Sequence, residues 1–229
     1  MPVSAFKRVV LAELQDLLPS LGDSKVAFGA QAYMKDVAPF IGIKAPERRK
    51  VAKELAKKLP QPTSDELGQT ARALWKLSER EYHYLACDLI EIFIDCADRN
   101  FLADHVEFLI SQKSWWDTVD LLGSAAVSPL TLKYPSVTLM RKWSKSSNIW
   151  LNRAAIQHQR GRKSETDIPL LLEILDYHSD QSEFFIAKAI GWALRDLSRV
   201  NNLEVKRFLK NHPELDKVAV REALKLGYK

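Results

Sequence analysis

The sequence predicts an all-α chain, an α-solenoid superhelix of helix pairs stacked around a concave surface. Three observations predict it. Glycine occurs only 8 times in 229 residues, below the roughly 7% of an average chain, while Leu, Ala, Lys and Glu are abundant, a balance that favours helices over hairpins. Breakers rich in proline and capping residues cut the chain into stretches of helix length. An apolar pattern also recurs with a period near 35 residues, the length of one helix pair in stacked-repeat proteins. A chain of this size buries a core without disulfides or metal, and it is read as a single domain over 1–229.

In chain order the helical segments read 3–19, 24–37, 46–59, 64–78, 80–98, 100–112, 114–127, 133–145, 148–160, 167–177, 182–199, 203–211 and 213–226. The first breaks its apolar run with Glu13 and Asp16, so it reads as an amphipathic helix rather than a signal peptide. Breaks follow at "PF" and "APE" near 39–47, at "PQPTSD" (60–65), at "SPL" (128–130), at "YPS" (134–136) and at "HPE" (212–214). No stretch reaches the length of a membrane span. The two cysteines, Cys87 and Cys96, form neither a disulfide framework nor a zinc motif, which suits a reducing cytoplasm.

The repeat becomes visible when Lys50, Leu85, Asp120, Arg153 and Lys188 are placed in one column, with spacings of 35, 35, 33 and 35. Residues one, two and five places on then read Val51/Ala52/Leu55, Ala86/Cys87/Ile90, Leu121/Leu122/Ala125, Ala154/Ala155/His158 and Ala189/Ile190/Ala193. Those offsets share one face of a helix, so the column residue lies at the edge of a core stripe. In a solenoid that edge lines the concave surface. In the 114–127 segment the stripe is Thr118, Leu121, Leu122 and Ala125, which leaves Trp116 and Asp120 beside it, with room at Gly123 one turn on.

Charge points the same way. The net charge is +5, and residues 141–163 carry seven basic side chains (Arg141, Lys142, Lys145, Arg153, Arg160, Arg162, Lys163) and no Asp or Glu, interleaved with Trp143 and Trp150. Such a stretch suits a polyanion such as nucleic acid, although an ordinary solvated face accounts for the same charges. Trp192 falls one turn after Lys188, so the predicted groove gathers Trp116, Asp120, Arg153, Lys188 and Trp192. There is no nucleophile triad, no thiol beside a histidine, no phosphate loop and no metal-ligand spacing among His83, His105, His158, His178 and His212. One carboxylate between aromatic faces in a basic groove suits a cation developing on a polyanionic substrate. Trp75 and Trp143 read as core, while Trp115 and Trp150 stay open between core and surface. Taken alone, the pattern favours a binding groove.

Five ordered blocks extend the reading: "GIKAPERRK" (42–50), "REYHYLACD" (80–88), "KSWWDTVD" (113–120), "SNIWLNRAAI" (147–156) and "EFFIAKAIGWALRD" (183–196). Together they resemble the AlkD family of DNA alkylation repair glycosylases, whose fold is a superhelix of HEAT-like repeats with a concave DNA-binding groove. The resemblance implies that Asp120, the second Asp of the W-W-D-x-V-D block, is the catalytic carboxylate. It implies further that Trp116 and Trp192 flank the lesion and that Arg153 is the groove arginine. "HQRGRK" at 158–163 departs from the family by being more basic.

The expected activity is excision of cationic N3- and N7-alkylated purines such as 3-methyladenine and 7-methylguanine, without full base flipping, as a step of base excision repair. The expected partner is double-stranded DNA, bound by a monomer in a bacterial cytoplasm at the nucleoid, with no cofactor, metal or membrane. Lys188, Arg141, Lys142, Lys145, Arg160, Arg162 and Lys163 would be phosphate contacts. The alternative is a catalytically silent HEAT-like protein that binds branched or distorted DNA, and a protein-binding scaffold comes third.

Overall fold

The computed structural model describes residues 4–225. Val3 and Leu226, the outer ends of two predicted segments, lie outside them. Among the described residues every regular element is helical, in the order α1 (Ala5–Leu17), α2 (Ser24–Tyr33), α3 (Ala45–Lys58), α4 (Ser64–Lys76), α5 (Arg80–Ile92), α6 (Glu107–Ser111), α7 (Trp116–Leu122), α8 (Ser128–Lys133), α9 (Val137–Ser144), α10 (Ile149–Ile156), α11 (Ile168–Tyr177), α12 (Phe184–Ser198), α13 (Asn202–Asn211) and α14 (Lys217–Leu224). The fold is therefore all-α, as composition and breakers predict. No helix among them is long and apolar enough to cross a membrane.

Two compact units divide the chain, Met1–Ala126 and Val127–Lys229. In the first, α1 packs on α4, α4 on α5, and α3, α5 and α7 follow one another side by side. In the second, α9 packs on α10 and α11, and α12 receives α10, α13 and α14. The helices bearing the repeat column are thus neighbours inside each unit, α3–α5–α7 in one and α10–α12 in the other. Every residue two places after the column, Ala52, Cys87, Leu122, Ala155 and Ile190, is buried, so the period of 35 is a period of core contacts.

Local chemistry explains where helices begin. Thr63 and Glu66 form a reciprocal capping box at α4, and Asp23, Asn148, Asp167 and Asp216 accept backbone N–H groups at the starts of α2, α10, α11 and α14. One expectation is corrected: "SPL" does not break the chain but opens α8, because a proline in the first helical turn sacrifices only an N–H that has no partner there. The real break is at Tyr134, whose backbone is extended. Trp75 and Trp143 are core residues, at 1% and 0% exposure, and Trp115 and Trp150 are half-buried.

Candidate functional site

In the first unit the site rests on three buried carboxylates that tie sequence blocks together. Glu81 accepts the backbone N–H groups of Ile41, Gly42 and Ile43 at 3.0, 2.8 and 3.2 Å. Gly42 is obligatory there, since its φ is +96° and a methyl group on it would lie 2.0 Å from the Asp23 carbonyl oxygen. Arg48 forks onto Asp88 (2.7 and 3.2 Å), with its guanidinium also over the Tyr84 ring. Arg80 forks onto Asp117 (3.0 and 2.6 Å) and also donates to the Lys113 carbonyl and the Thr118 hydroxyl. Tyr84 donates its hydroxyl to Asp117 at 2.6 Å. Burial, and then the Asp117 charge, push the Tyr84 pKa up, so the phenol stays protonated and remains a donor.

This framework anchors the start of α7. Trp115 is extended, with φ −156° and ψ 161°, and Trp116 opens the helix. Asp117, Thr118, Val119 and Leu122 turn inward, while Trp116 and Asp120 share a half-exposed face one turn apart. A methyl group placed on Gly123 meets nothing within 4 Å, so the space expected beyond Asp120 is present. The helix loosens there into a π-helical stretch, Gly123–Val127, a departure often found at functional positions. Tyr33 stands edge-on to Trp116, ring centres 6.2 Å apart. It belongs to α2, which has no buried residue and exposes Phe28 at 79% and Tyr33 at 70%. The segment 24–37 reads as a helix in the sequence, but its aromatic face was not foreseen as part of the site, since its only signal was Phe28 and Tyr33, five apart, without an apolar stripe.

The second unit is built around Trp192. The cations of Arg153, Arg160 and Lys188 lie 5.3, 5.2 and 5.3 Å from its ring centre, and that of Arg195 lies at 6.0 Å. Such placement over an indole is favourable for each cation, by about 0.5–2 kcal/mol depending on desolvation. Arg153 is 1% exposed, not at a solvated edge, and its Nη1 donates to the Phe185 carbonyl at 2.6 Å. Trp150 packs on Phe185, ring centres 5.0 Å apart. The indole Nε1 of Trp192 donates to Glu222 at 3.2 Å.

The predicted phosphate contacts separate into kinds. Lys142, Lys145, Arg160 and Lys163 are exposed. Arg141 is forked onto Glu173 (2.7 and 2.6 Å), a pairing hidden from any reading confined to 141–163. Arg162 turns onto α8, donating to the Ser128 carbonyl and the Thr131 hydroxyl. Arg153, Lys188 and Trp192 are brought together, with Arg160 added. Trp116 and Asp120 are brought together in the other unit.

The family model for DNA alkylation repair enzymes matches residues 14–226. A solved structure described as a predicted DNA alkylation repair enzyme from Enterococcus faecalis shares 31% identity over 91% of this chain and 97% of its own, with a TM-score of 0.82. AlkD2 from Streptococcus mutans has the same fold at 18% identity, over 97% of this chain and 98% of its own, with a TM-score of 0.63. The structure of smu.31 from Streptococcus mutans UA159 is similar at 20% identity, over 80% and 91%, with a TM-score of 0.58. Among curated proteins none matches. With the family model spanning almost the whole chain and the enterococcal protein alike in sequence and fold, this chain belongs to the DNA alkylation repair enzyme family.

Proposed function

We propose that the chain is a monofunctional DNA glycosylase that hydrolyses the N-glycosidic bond of N3- and N7-alkylated purines. The observation that carries the reading is the pair Trp116 and Asp120, half-exposed on one face of α7 beside the open space at Gly123. A purine alkylated at N3 or N7 is already cationic. It leaves with the glycosidic electron pair as a neutral base, so no general acid is needed.

Positive charge then develops on the deoxyribose, at C1′ and the ring oxygen, where the Asp120 carboxylate stabilises it. Asp120 also orients the water whose oxygen bonds to C1′ and which gives up a proton. Trp116 and Trp192 lie against the sugar and lesion strand. Exposed Arg160, Lys142, Lys145 and Lys163, with half-buried Lys188, attract phosphates, and Arg153 adds its charge from within the fold. The reading takes 1–229 as one domain, acting as a monomer on one duplex with the lesion still in or near the stack. No lysine forms a Schiff base, so the abasic product stays uncut, and a borohydride-trapped adduct with DNA would contradict this.

The test is release of base from a duplex carrying one 7-methylguanine under single-turnover conditions. Wild-type protein should exceed spontaneous depurination, and Asp120→Asn should lose 10²-fold or more, on the scale of removing one stabilising group from a charged transition state. Binding by both proteins with no excision above background, on this or a 3-methyladenine duplex, would leave only a DNA-binding role.

A further inference from the structure

We infer that Glu222 is a positioning residue that fixes the indole of Trp192, so that the α14 carboxylate sets the orientation of a ring assigned to the lesion. The inference rests on the glycosylase reading for its kinetic consequence, but its geometric content stands without it.

Glu222 is 3% exposed, a rare state for a glutamate. Its Oε2 accepts from Trp192 Nε1 at 3.2 Å and faces Arg195 Nη1 at 3.4 Å, and its Oε1 accepts from Lys225 Nζ at 2.5 Å. Hydrogen bonding from Lys225 holds its pKa below the ordinary range, so it is a carboxylate at neutral pH. The approach of the two helices is made for this contact. A methyl group on Gly191, the residue before Trp192, would lie 2.5 Å from Glu222 Cβ and 2.6 Å from the Ala219 carbonyl oxygen. Only glycine lets α12 and α14 come close enough for the carboxylate to reach the indole.

The constraint has a purpose at a ring loaded with cations. Four of them lie within 6.0 Å of the indole, and each gains from lying over the ring face, so without a fixed N–H the ring is free to follow whichever cation DNA draws away. An indole whose edge is pinned keeps one face direction when phosphates arrive. Pre-ordering of that kind lowers the barrier by holding the reacting geometry, and misplacement by about 1 Å costs on the order of 10²-fold in rate.

The experiment compares Glu222→Gln, which keeps an oxygen acceptor but no charge, with Glu222→Leu, which keeps neither. Indole N–H resonances of ¹⁵N-labelled protein are recorded first, that of Trp192 being identified by its loss in Trp192→Phe. The expected result is a Trp192 signal near its wild-type position in Glu222→Gln and a shifted, rapidly exchanging one in Glu222→Leu. On a 7-methylguanine duplex at saturating enzyme, Glu222→Leu should lose about tenfold or more in single-turnover rate, with affinity within about threefold, and Glu222→Gln should recover most of it.

Equal behaviour of the two variants would overturn the inference in favour of a counter-charge role, as would an unmoved indole signal in Glu222→Leu. A fall in thermal stability with an unchanged rate would do so as well. If the wild type excises nothing, the glycosylase reading fails while the indole signals still decide the positioning.

Discussion

Asp117 and Asp120 stand three residues apart on one short helix and meet opposite fates. Asp117 is 6% exposed and receives the Arg80 fork and the Tyr84 hydroxyl, while Asp120 lies half-exposed beside open space. A buried carboxylate that accepts three charge-assisted hydrogen bonds is structural, since burying it without them would cost several kcal/mol. We predict that Asp117→Ala, which strands the Arg80 guanidinium at 0% exposure, lowers unfolding stability by about 3–5 kcal/mol in guanidinium titrations. A loss below about 1 kcal/mol would mean that the pair is not what holds α7. The sequence marked both aspartates through one block, but their difference came from Arg80, 37 residues upstream. Arg153 was likewise legible as a basic residue and illegible as a buried one, because the Phe185 carbonyl that accepts from it lies 32 residues on.

At the scale of elements, the apolar period placed the helices well because it is a record of which faces touch. It missed α8, where proline at a helix start was read as a break, and although it read a helix over 24–37 it could not show that α2 exposes its aromatics, because a helix that buries nothing leaves no stripe to read. Contact between helices also fixes residues whose role no local pattern reveals. Gly191 sits in a strongly helical stretch where alanine would ordinarily raise helix propensity by about 1 kcal/mol. Here the backbone of α14 occupies the place of its methyl group, 2.6 Å from the Ala219 carbonyl oxygen. Gly191→Ala is therefore expected to destabilise the second unit by about 1–3 kcal/mol, seen as a lower Tm. A Tm at or above wild type would show that α12 and α14 part without cost.

Over the whole molecule, each unit carries a buried neutral histidine that makes acid a common stress. Burial lowers the pKa of His83 in the first unit and of His158 in the second to about 4. Both are depressed below the ordinary value of about 6.5, so the unfolded chain binds protons between those values that the folded chain refuses. The stability that their neutral forms contribute is complete above about pH 6.5 and is lost as pH falls toward about 4. Thermal melts should therefore show a nearly flat Tm from pH 7 to 8.5 and a progressive fall below 6.5. His83→Gln and His158→Gln together should flatten that fall, and an unchanged acid slope in the double variant would assign it to other groups.

What the sequence by itself determined was the helical class, the period of core contacts, the family, and the short list containing Trp116, Asp120, Arg153, Lys188 and Trp192. These follow from spacing along one chain, where a helix face repeats and a block keeps its order. Tertiary structure alone decided which members of that list are exposed, which are buried, and what each touches. Glu222 reaches Trp192 across 30 residues, Asp117 binds Arg80 across 37, and Glu173 occupies Arg141 across 32. The physical reason is that burial and charge pairing are properties of neighbours brought together by packing, and no local pattern carries the identity of a neighbour contributed by another helix.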